Sequence, residues 1–499
     1  MRLITLATAW IGAAGGCLAA QPGGAWQADA WLPPAARAVL DIVQTNNPQI
    51  EAAGLLRQAE RAEAQAFDGF FQPRLAVSAG GGQGPAAAPE STLVPRFGGD
   101  AAGIQAGLLV PLRAGAYLGV GAAQRYLFEA DGFEDLGQSV AGIRLEVPLL
   151  QNRGFRTQRF NQEARDASAA AAVAEARSVA RLVARDALVH YAAWLYAAAD
   201  VRESLAALAR VERLLEETSG RVELETIAEY QVFAAQMEVR FRQEELRQSR
   251  TLLAQAGQAL ETRLGGVELA GRIAGDPALL RDWASRCATN GIEQVSAFAG
   301  ERPERLRARH AVAAADRLRE AVREGLRSNL ALQAGVGFQA EDAGGGFGSD
   351  PMLDDDRAGV EVALVWSRPL AFDAEEARLR AQQARLDAAR AGLREIELLI
   401  TEEQARAREA VEAARDRLGI VDHAVEDARR ALVAEEQRLS LGEGRSRNVL
   451  DAQKDLTTAE RRANAAAYDL ILAYTDLLAA FGVPLIPAEV PDGLVSPTP

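Results

Sequence analysis

The chain is poor in lysine, cysteine, histidine and aromatic side chains. Among 499 residues there are 2 Cys and 3 His, aromatics make up 6%, and Lys454 is the single lysine. Two cysteines exclude a disulfide-stapled scaffold, in which bridges stand in for a core. His190, His310 and His423 each stand alone, without ligand spacing or a cysteine partner, so no metal site is expected. The basic residues are nearly all arginine and are outnumbered: 55 Lys+Arg face 69 Asp+Glu, for a formal net charge of -14. That excess argues against nucleic acid or an anionic membrane surface as the main partner. No stretch reaches about 18 consecutive apolar residues, so no transmembrane helix is expected. A chain of this kind that crosses a membrane does so as a β-barrel. Catalytic patterns are missing too. No Ser–His–Asp order, phosphate loop or carboxylate pair stands out, and Gly119-Val120-Gly121 lacks the third glycine of a dinucleotide turn. Gly345–Met352 fits a calcium nonapeptide once, where a β-roll needs consecutive copies. No enzyme and no cofactor is expected.

What the sequence does have begins with an export leader at residues 1–20. Arg2 is its positive end, Leu3 to Ile11 its apolar core, and Gly12 to Ala20 its run of small residues. Cleavage after Ala19 or Ala20 is one reading. The other takes Ala14-Gly15-Gly16-Cys17 as a lipoprotein site that leaves Cys17 lipidated.

Helical periodicity dominates the rest. Segments near 35–70, 155–218, 226–264, 277–327, 372–440 and 446–481 are rich in Ala, Leu, Arg, Glu and Gln. Between them lie strand-like stretches at 74–82, 103–112, 115–128, 138–149, 329–340 and 357–367. In 329–340, Leu330, Leu332, Ala334, Val336 and Phe338 alternate onto one face, as do Val360, Val362, Leu364 and Trp366 in 357–367. A barrel wall facing lipid needs that alternation, although a half-buried soluble sheet shares it. The loops at 84–100 and 341–357 are rich in Gly and Asp and suit exposed tips.

The order of elements repeats. Asn47-Pro48-Gln49 opens one unit and Arg302-Pro303-Glu304 the next, 255 residues on. Val147-Pro148-Leu149 and Arg368-Pro369-Leu370 close the strand groups at an offset of 221, and Leu264-Gly265 matches Phe481-Gly482 at 217. A tandem duplication accounts for this, with a first repeat at 35–265, a second at 277–482 and a Pro-rich tail at 483–499. The falling offset leaves the first repeat about 34 residues longer in its strand region (74–149, against 329–369), the size of one β-hairpin.

The long helices carry heptad seams. Leu379, Leu386, Leu393 and Ile400 form one, and Val411, Leu418, Val425, Leu432 and Leu439 resume it after an eleven-residue step, a stutter. Segment 446–481 carries two, one through Val449, Leu456, Ala463, Leu470 and Leu477, the other through Ala452, Ala459, Ala466, Ala473 and Ala480. Two seams mean neighbours on both sides, as in a ring of helices. At ~1.5 Å per residue, 372–440 spans roughly 100 Å, more than a globular domain needs.

These features resemble the TolC-type outer-membrane efflux protein family. The likeness rests on the N-P-x-(I/L) opening at Asn47–Ala53, echoed at Arg302–Ala308, and on the "PL" strand ends at Val147–Phe155 and Arg368–Phe372. Its most specific part is Arg438-Leu439-Ser440-Leu441-Gly442 with Asn448-Val449-Leu450-Asp451-Ala452-Gln453, followed by Leu456, Ala459 and Leu477–Gly482. The resemblance implies a mainly α fold with a β-barrel part: a tandem-repeat coiled-coil tunnel in the periplasm, and a transmembrane β-barrel shared by a homotrimer in outer-membrane lipid. It implies a passive exit duct of a tripartite efflux or type I secretion system, docked to a periplasmic adaptor and an inner-membrane pump. The rival reading is a periplasmic coiled-coil adaptor or scaffold, but two hairpins and two strand groups suit the duct better. By the same resemblance Arg438, Leu439, Ser440 and Gly442 form the adaptor-docking tip, while Asp451, Asn448 and the related Glu229 narrow the pore. Asp451 keeps an acid that Asn448 lacks. Six candidate strands depart from the four per protomer of the family pattern: either one hairpin folds over the rim or the barrel is wider than usual, and the glycines and prolines of 84–100 favour the first.

Overall fold

The computed structural model describes residues 31–82, 101–127, 136–223, 230–269, 272–297, 300–343, 358–368, 371, 373–441 and 443–485. The leader with Cys17, Glu229, Gly442, the segments 83–100 and 344–357, and most of the tail lie outside them.

Nine helices and six strands occur among the described residues: α1 Pro34–Asn46, α2 Pro48–Phe67, β1 Arg74–Gly82, β2 Ala101–Leu112, β3 Ala116–Leu127, β4 Leu136–Pro148, α3 Arg156–Glu223, α4 Tyr230–Arg263, α5 Ala278–Thr289, α6 Ile292–Ala297, α7 Pro303–Gly325, β5 Asn329–Ala343, β6 Ala358–Ser367, α8 Asp373–Ser440 and α9 Ser446–Ala480. The strands lie within a few residues of expectation. The first helical segment is cut in two at Asn47, because the residue before a proline is driven out of helical geometry. Asn47 sits at φ -79, ψ 121 ahead of Pro48, and Arg302 at φ -62, ψ 128 ahead of Pro303. The segment 277–327 is three helices rather than one, with a first break at Asn290-Gly291 and a second ahead of Pro303.

The chain forms two compact units, and each draws on both halves of the sequence. The first comprises residues up to 47, 181–300 and 403–489. Its core gathers Trp31, Tyr191, Trp283, Tyr474, Leu188, Leu280 and Leu470, all buried. Tyr191 donates its hydroxyl to the Ala274 carbonyl at 2.9 Å, so its buried oxygen is satisfied. Both seams of α9 are largely buried, from Val449, Ala452 and Leu456 up to Leu477 and Ala480. Alanine at every seventh position allows close helix approach in place of large side chains.

The second unit comprises 48–180 and 301–402 and contains the sheet. Its strands pair antiparallel in chain order, β1-β2-β3-β4-β5-β6. The expectation of a hairpin folded over the rim is thereby overturned. β2 and β3 are interior strands, with β2 paired to β1 along Arg74–Gly82 and β3 to β4 along Tyr117–Leu127. The physical reason lies at the turn between them. Gly115, at φ +92, lies so close to the backbone of Gly154 that any Cβ would overlap it. Tyr117 meets Phe155 at 4.8 Å between ring centroids, and Phe155 meets Phe70 at 5.4 Å. The turn is thus packed onto the start of α3 by glycine contact and an aromatic cluster.

The ends of both hairpins of helices use glycine alike. At Gly265, φ is +77, and a Cβ there would collide with the Asn46 carbonyl; the Asn47 amide donates to the Arg263 carbonyl at 2.8 Å. At Gly482, φ is +68, and the Gly300 amide donates to Phe481 O at 3.1 Å. Gly265→Ala therefore combines a left-handed penalty with a backbone collision and is expected to destabilise the fold by about 3 kcal/mol. Gly54→Ala meets nothing within 4 Å and is expected to be neutral or to stabilise α2 by up to ~1 kcal/mol. Thermal unfolding of the detergent-solubilised protein distinguishes the two.

Candidate functional site

The turn between α8 and α9 is built from backbone hydrogen bonds. Glu443 and Gly444 donate their amides to the Arg438 carbonyl at 3.0 Å each, and Leu441 donates to Gln437 at 3.1 Å. The Ser440 hydroxyl donates to the Gln437 carbonyl at 2.8 Å. Gly444, whose φ is not positive, supplies closeness: a Cβ there would lie 2.8 Å from the Leu439 nitrogen. Arg221, in the last turn of α3, donates to the Leu439 carbonyl at 3.1 Å and places a cation at the C-terminus of α8.

Of the residues assigned to a docking tip, Arg438 and Ser440 are exposed. Leu439 is not. It is buried with Leu214, Leu432, Val449, Ala452 and Leu456, as its place in the heptad seam requires. Leu441, 74% exposed, is the apolar side chain that this turn presents. Asn448 and Asp451 are both exposed and, three residues apart, share one face of α9. A further acid stands there. Asn448 donates its amide to Glu435 at 3.5 Å, and Glu435 accepts from Arg438 at 2.9 Å. Glu435 thus brings to Asn448 a carboxylate that Asn448 itself lacks. The only sequence signal for it is the Glu435/Arg438 spacing of three on one helix face.

Beside the turn lies a cleft of about 230 Å³ between α3, α8 and α9, lined by Arg210, Arg213, Arg221, Glu217, Glu436 and Gln453. Farther along, polar side chains clamp the same helices. Arg461 on α9 forms an ion pair with Asp200 at 3.0 Å, donates to the Ser204 hydroxyl at 2.9 Å and also pairs with Glu245, so one guanidinium joins α3, α4 and α9. Ser249 donates to Asp200, and Arg242 holds Glu245 at 2.8 Å. Burial alone would raise the Glu245 pKa, but bonds from Arg461 and Arg242 outweigh it and lower it. In a second clamp Arg210 donates to Thr457 at 3.0 Å and to Glu460 at 3.4 Å. There burial and the adjacent Glu203 carboxylate push Glu460 up.

No group of three or more His, Cys, Asp or Glu suited to a metal ion occurs among the described residues. The Nδ1 of His190 lies 2.7 Å from its own helix's Asp186 carbonyl. Cys287 is fully buried, which pushes its thiol up, away from the reactive thiolate. No described helix is long and apolar enough to cross a membrane.

Removing the Arg461 guanidinium leaves Asp200 without its cation and Glu245 with Arg242 alone. Arg461→Ala is expected to cost about 3 kcal/mol at neutral pH. A carboxyl whose pKa is lowered by folding contributes stability above its unfolded pKa and loses it as pH falls. The deficit of the variant should therefore shrink as pH drops below about 4.5, which thermal unfolding at pH 7.5 and pH 4 would register.

Comparison with known proteins adds the following. Residues 295–483 match the family described as outer membrane efflux protein. No curated protein matches the chain in sequence. The outer-membrane channel OprN shares the fold with TM-score 0.65 at 19% identity, over 91% of each chain. The outer membrane protein VceC of Vibrio cholerae does so with TM-score 0.63 at 17% identity, over 90% of this chain and 96% of its own. The open state of the MtrE outer membrane channel of Neisseria gonorrhoeae does so with TM-score 0.62 at 17% identity, over 91% of this chain and 90% of its own. The fold is thus that of outer-membrane channels, mainly helical with a β part, and the resemblance to the TolC-type outer-membrane efflux family holds in sequence over residues 295–483 and in fold over about nine-tenths of the chain.

Proposed function

We propose that this protein is the exit duct of an export assembly in the outer membrane of a Gram-negative cell. In this reading three copies share one β-wall in lipid, and their helices form a periplasmic conduit. Cargo passes without chemistry, driven by an inner-membrane pump through a periplasmic adaptor.

The observation that carries the reading is the two-faced sheet. Across all six strands the pairing aligns Leu75, Leu108, Val120, Ile143, Val336 and Val360 in one row. Adjacent rows hold Val77, Ile104, Leu145, Phe338, Leu332, Val362, Leu364 and Trp366, and this whole face is half-buried or exposed, Val360 to 75%. In water such a face is an aggregation hazard; in lipid it is an ordinary barrel exterior. The opposite face carries Arg144, Glu361, Gln105, Ser78 and Gln333, as a water-filled lumen requires, with Arg144 and Glu361 3.7 Å apart.

Two further features support several copies around one axis. On α4, Tyr230, Phe233, Met237 and Phe241 form an exposed apolar stripe at helical spacing, each at least 55% exposed. A neighbouring copy would cover it. The exposed Asp451 face would then supply one carboxylate per copy to a ring that draws cations and resists anions. Arg438, Ser440 and Leu441 would meet the adaptor at the tip. Leu439, being buried, supports them from behind.

Planar-bilayer recording tests this. Purified protein is expected to give stepwise, cation-favouring currents, and Asp451→Asn should shift the reversal potential towards anions without altering stability. Currents with unchanged selectivity in that variant would remove Asp451 from the constriction, and no current at all would count against the duct. Phe241→Glu is expected to weaken the oligomer by about 2 kcal/mol or more per copy, read as dissociation in detergent by native mass measurement.

A further inference from the structure

The sheet holds an arrangement that neither strand number nor composition foretells. Gly107, Gly121, Gly142, Gly337 and Gly359 are direct cross-strand partners in sequence through β2, β3, β4, β5 and β6, and Ala76 of β1 completes the row. The row lies on the polar face, since each of these residues neighbours an apolar-face residue along its strand. Glycine inside a strand is unfavourable, by roughly 0.5–1 kcal/mol each relative to alanine. Five in register therefore call for a reason. Part of it is closeness: a Cβ at Gly142 would lie 2.9 Å from the Val336 carbonyl oxygen, and one at Gly337 3.3 Å from that of Ala141. A row without side chains also lets the sheet curve towards that face, as glycine kinks do where a barrel wall bends.

The edges of the sheet say what the curve closes onto. β1 and β6 run in opposite directions, so β6 of one copy meets β1 of the next antiparallel, and the apolar face continues across the joint. β1 is exposed from Arg74 to Gly81, and β6 everywhere but Ala363. In hydrocarbon each unpaired backbone group costs several kcal/mol, so neither edge is tolerated open. Six strands fall below the eight of the smallest barrels, so the occupant of each edge is another copy of this chain.

We propose that all six strands of each copy enter the wall, giving an eighteen-stranded barrel in the trimer, encircled on its lumen side by this glycine belt. The proposal rests on the trimeric duct above. With strands ~4.8 Å apart and tilted about 40°, eighteen strands give a backbone radius of about 18 Å, the size at which barrels hold an aqueous channel instead of a side-chain core. The belt is then the widest ring of the wall.

Single cysteines on β3, in the hairpin expected to leave the wall, decide the matter. Cys287 is replaced by alanine first, and the chain is studied in liposomes. Val120→Cys and Gly121→Cys are neighbours, and a Cβ at position 121 makes only ordinary contact, 3.4 Å from the Ala106 oxygen. Gly359→Cys, with a Cβ 3.9 Å from its nearest neighbour, reports on the belt at β6. A membrane-impermeant charged methanethiosulfonate is expected to label Gly121→Cys and Gly359→Cys roughly tenfold faster than Val120→Cys. A nitroxide on Val120→Cys is expected to relax with oxygen and not with a water-soluble nickel chelate. Native mass of the same samples should give three chains. A trimer whose Val120 label is reached by nickel overturns the eighteen-stranded wall alone. A lipid-facing Val120 label in a particle of any other copy number overturns the trimer beneath it.

Discussion

A sheet that is apolar on one face and exposed at both edges is a partial object. Lipid accepts its side chains but not its unpaired N–H and C=O groups, and water accepts the reverse. Closure with further copies satisfies both demands. In the proposed barrel, the two-faced pattern from Leu75 to Val360, the even strand number that allows antiparallel joints, and the glycine row that lets the wall bend all serve this one requirement. The packing of Gly115 on Gly154 then ties the additional hairpin to the start of α3, so that the wall and a long helix begin together.

The helical part meets a different constraint. Helices of 68 residues cannot be stabilised by a compact core and rely on seams repeated along their length. Small residues bring the backbones close, and arginine clamps fix the register. Arg461 holds three helices at once, and Arg210 ties α3 to α9 beside it. The scarcity of lysine suits this architecture, since the planar guanidinium reaches several acceptors in fixed directions where an ammonium group is a point charge. The turn at Ser440–Ser446 is similarly held, by Arg221 on the last carbonyls of α8 and by Leu439 in the seam.

Much of this was legible in the sequence because it is periodic and local. Alternation locates the strands, heptads locate the seams, and Pro48 and Pro303 mark helix starts, with Pro48 also ending the helix before it. Leu439 is instructive. Its heptad position required a core role, family likeness pointed it outward, and the structure follows the heptad. The glycine belt was invisible, because it exists only in the register between strands and the glycines are otherwise scattered. Glu435 is hidden for a similar reason: it meets Asn448 across a turn, 13 residues away. The composition of 84–100 argues against a wall, while the hairpin's anchor at Gly154 and Phe155 is a tertiary contact that no local pattern shows.

The most direct test of a membrane-embedded, shared wall is the state of the intact protein in its own envelope. Membranes separated on a sucrose gradient and extracted in mild detergent are run on a gel unheated and heated. The account predicts a band in the outer-membrane fraction at the mass of three chains, which heat collapses to one. A monomer in the soluble periplasmic fraction, unchanged by heating, would contradict it.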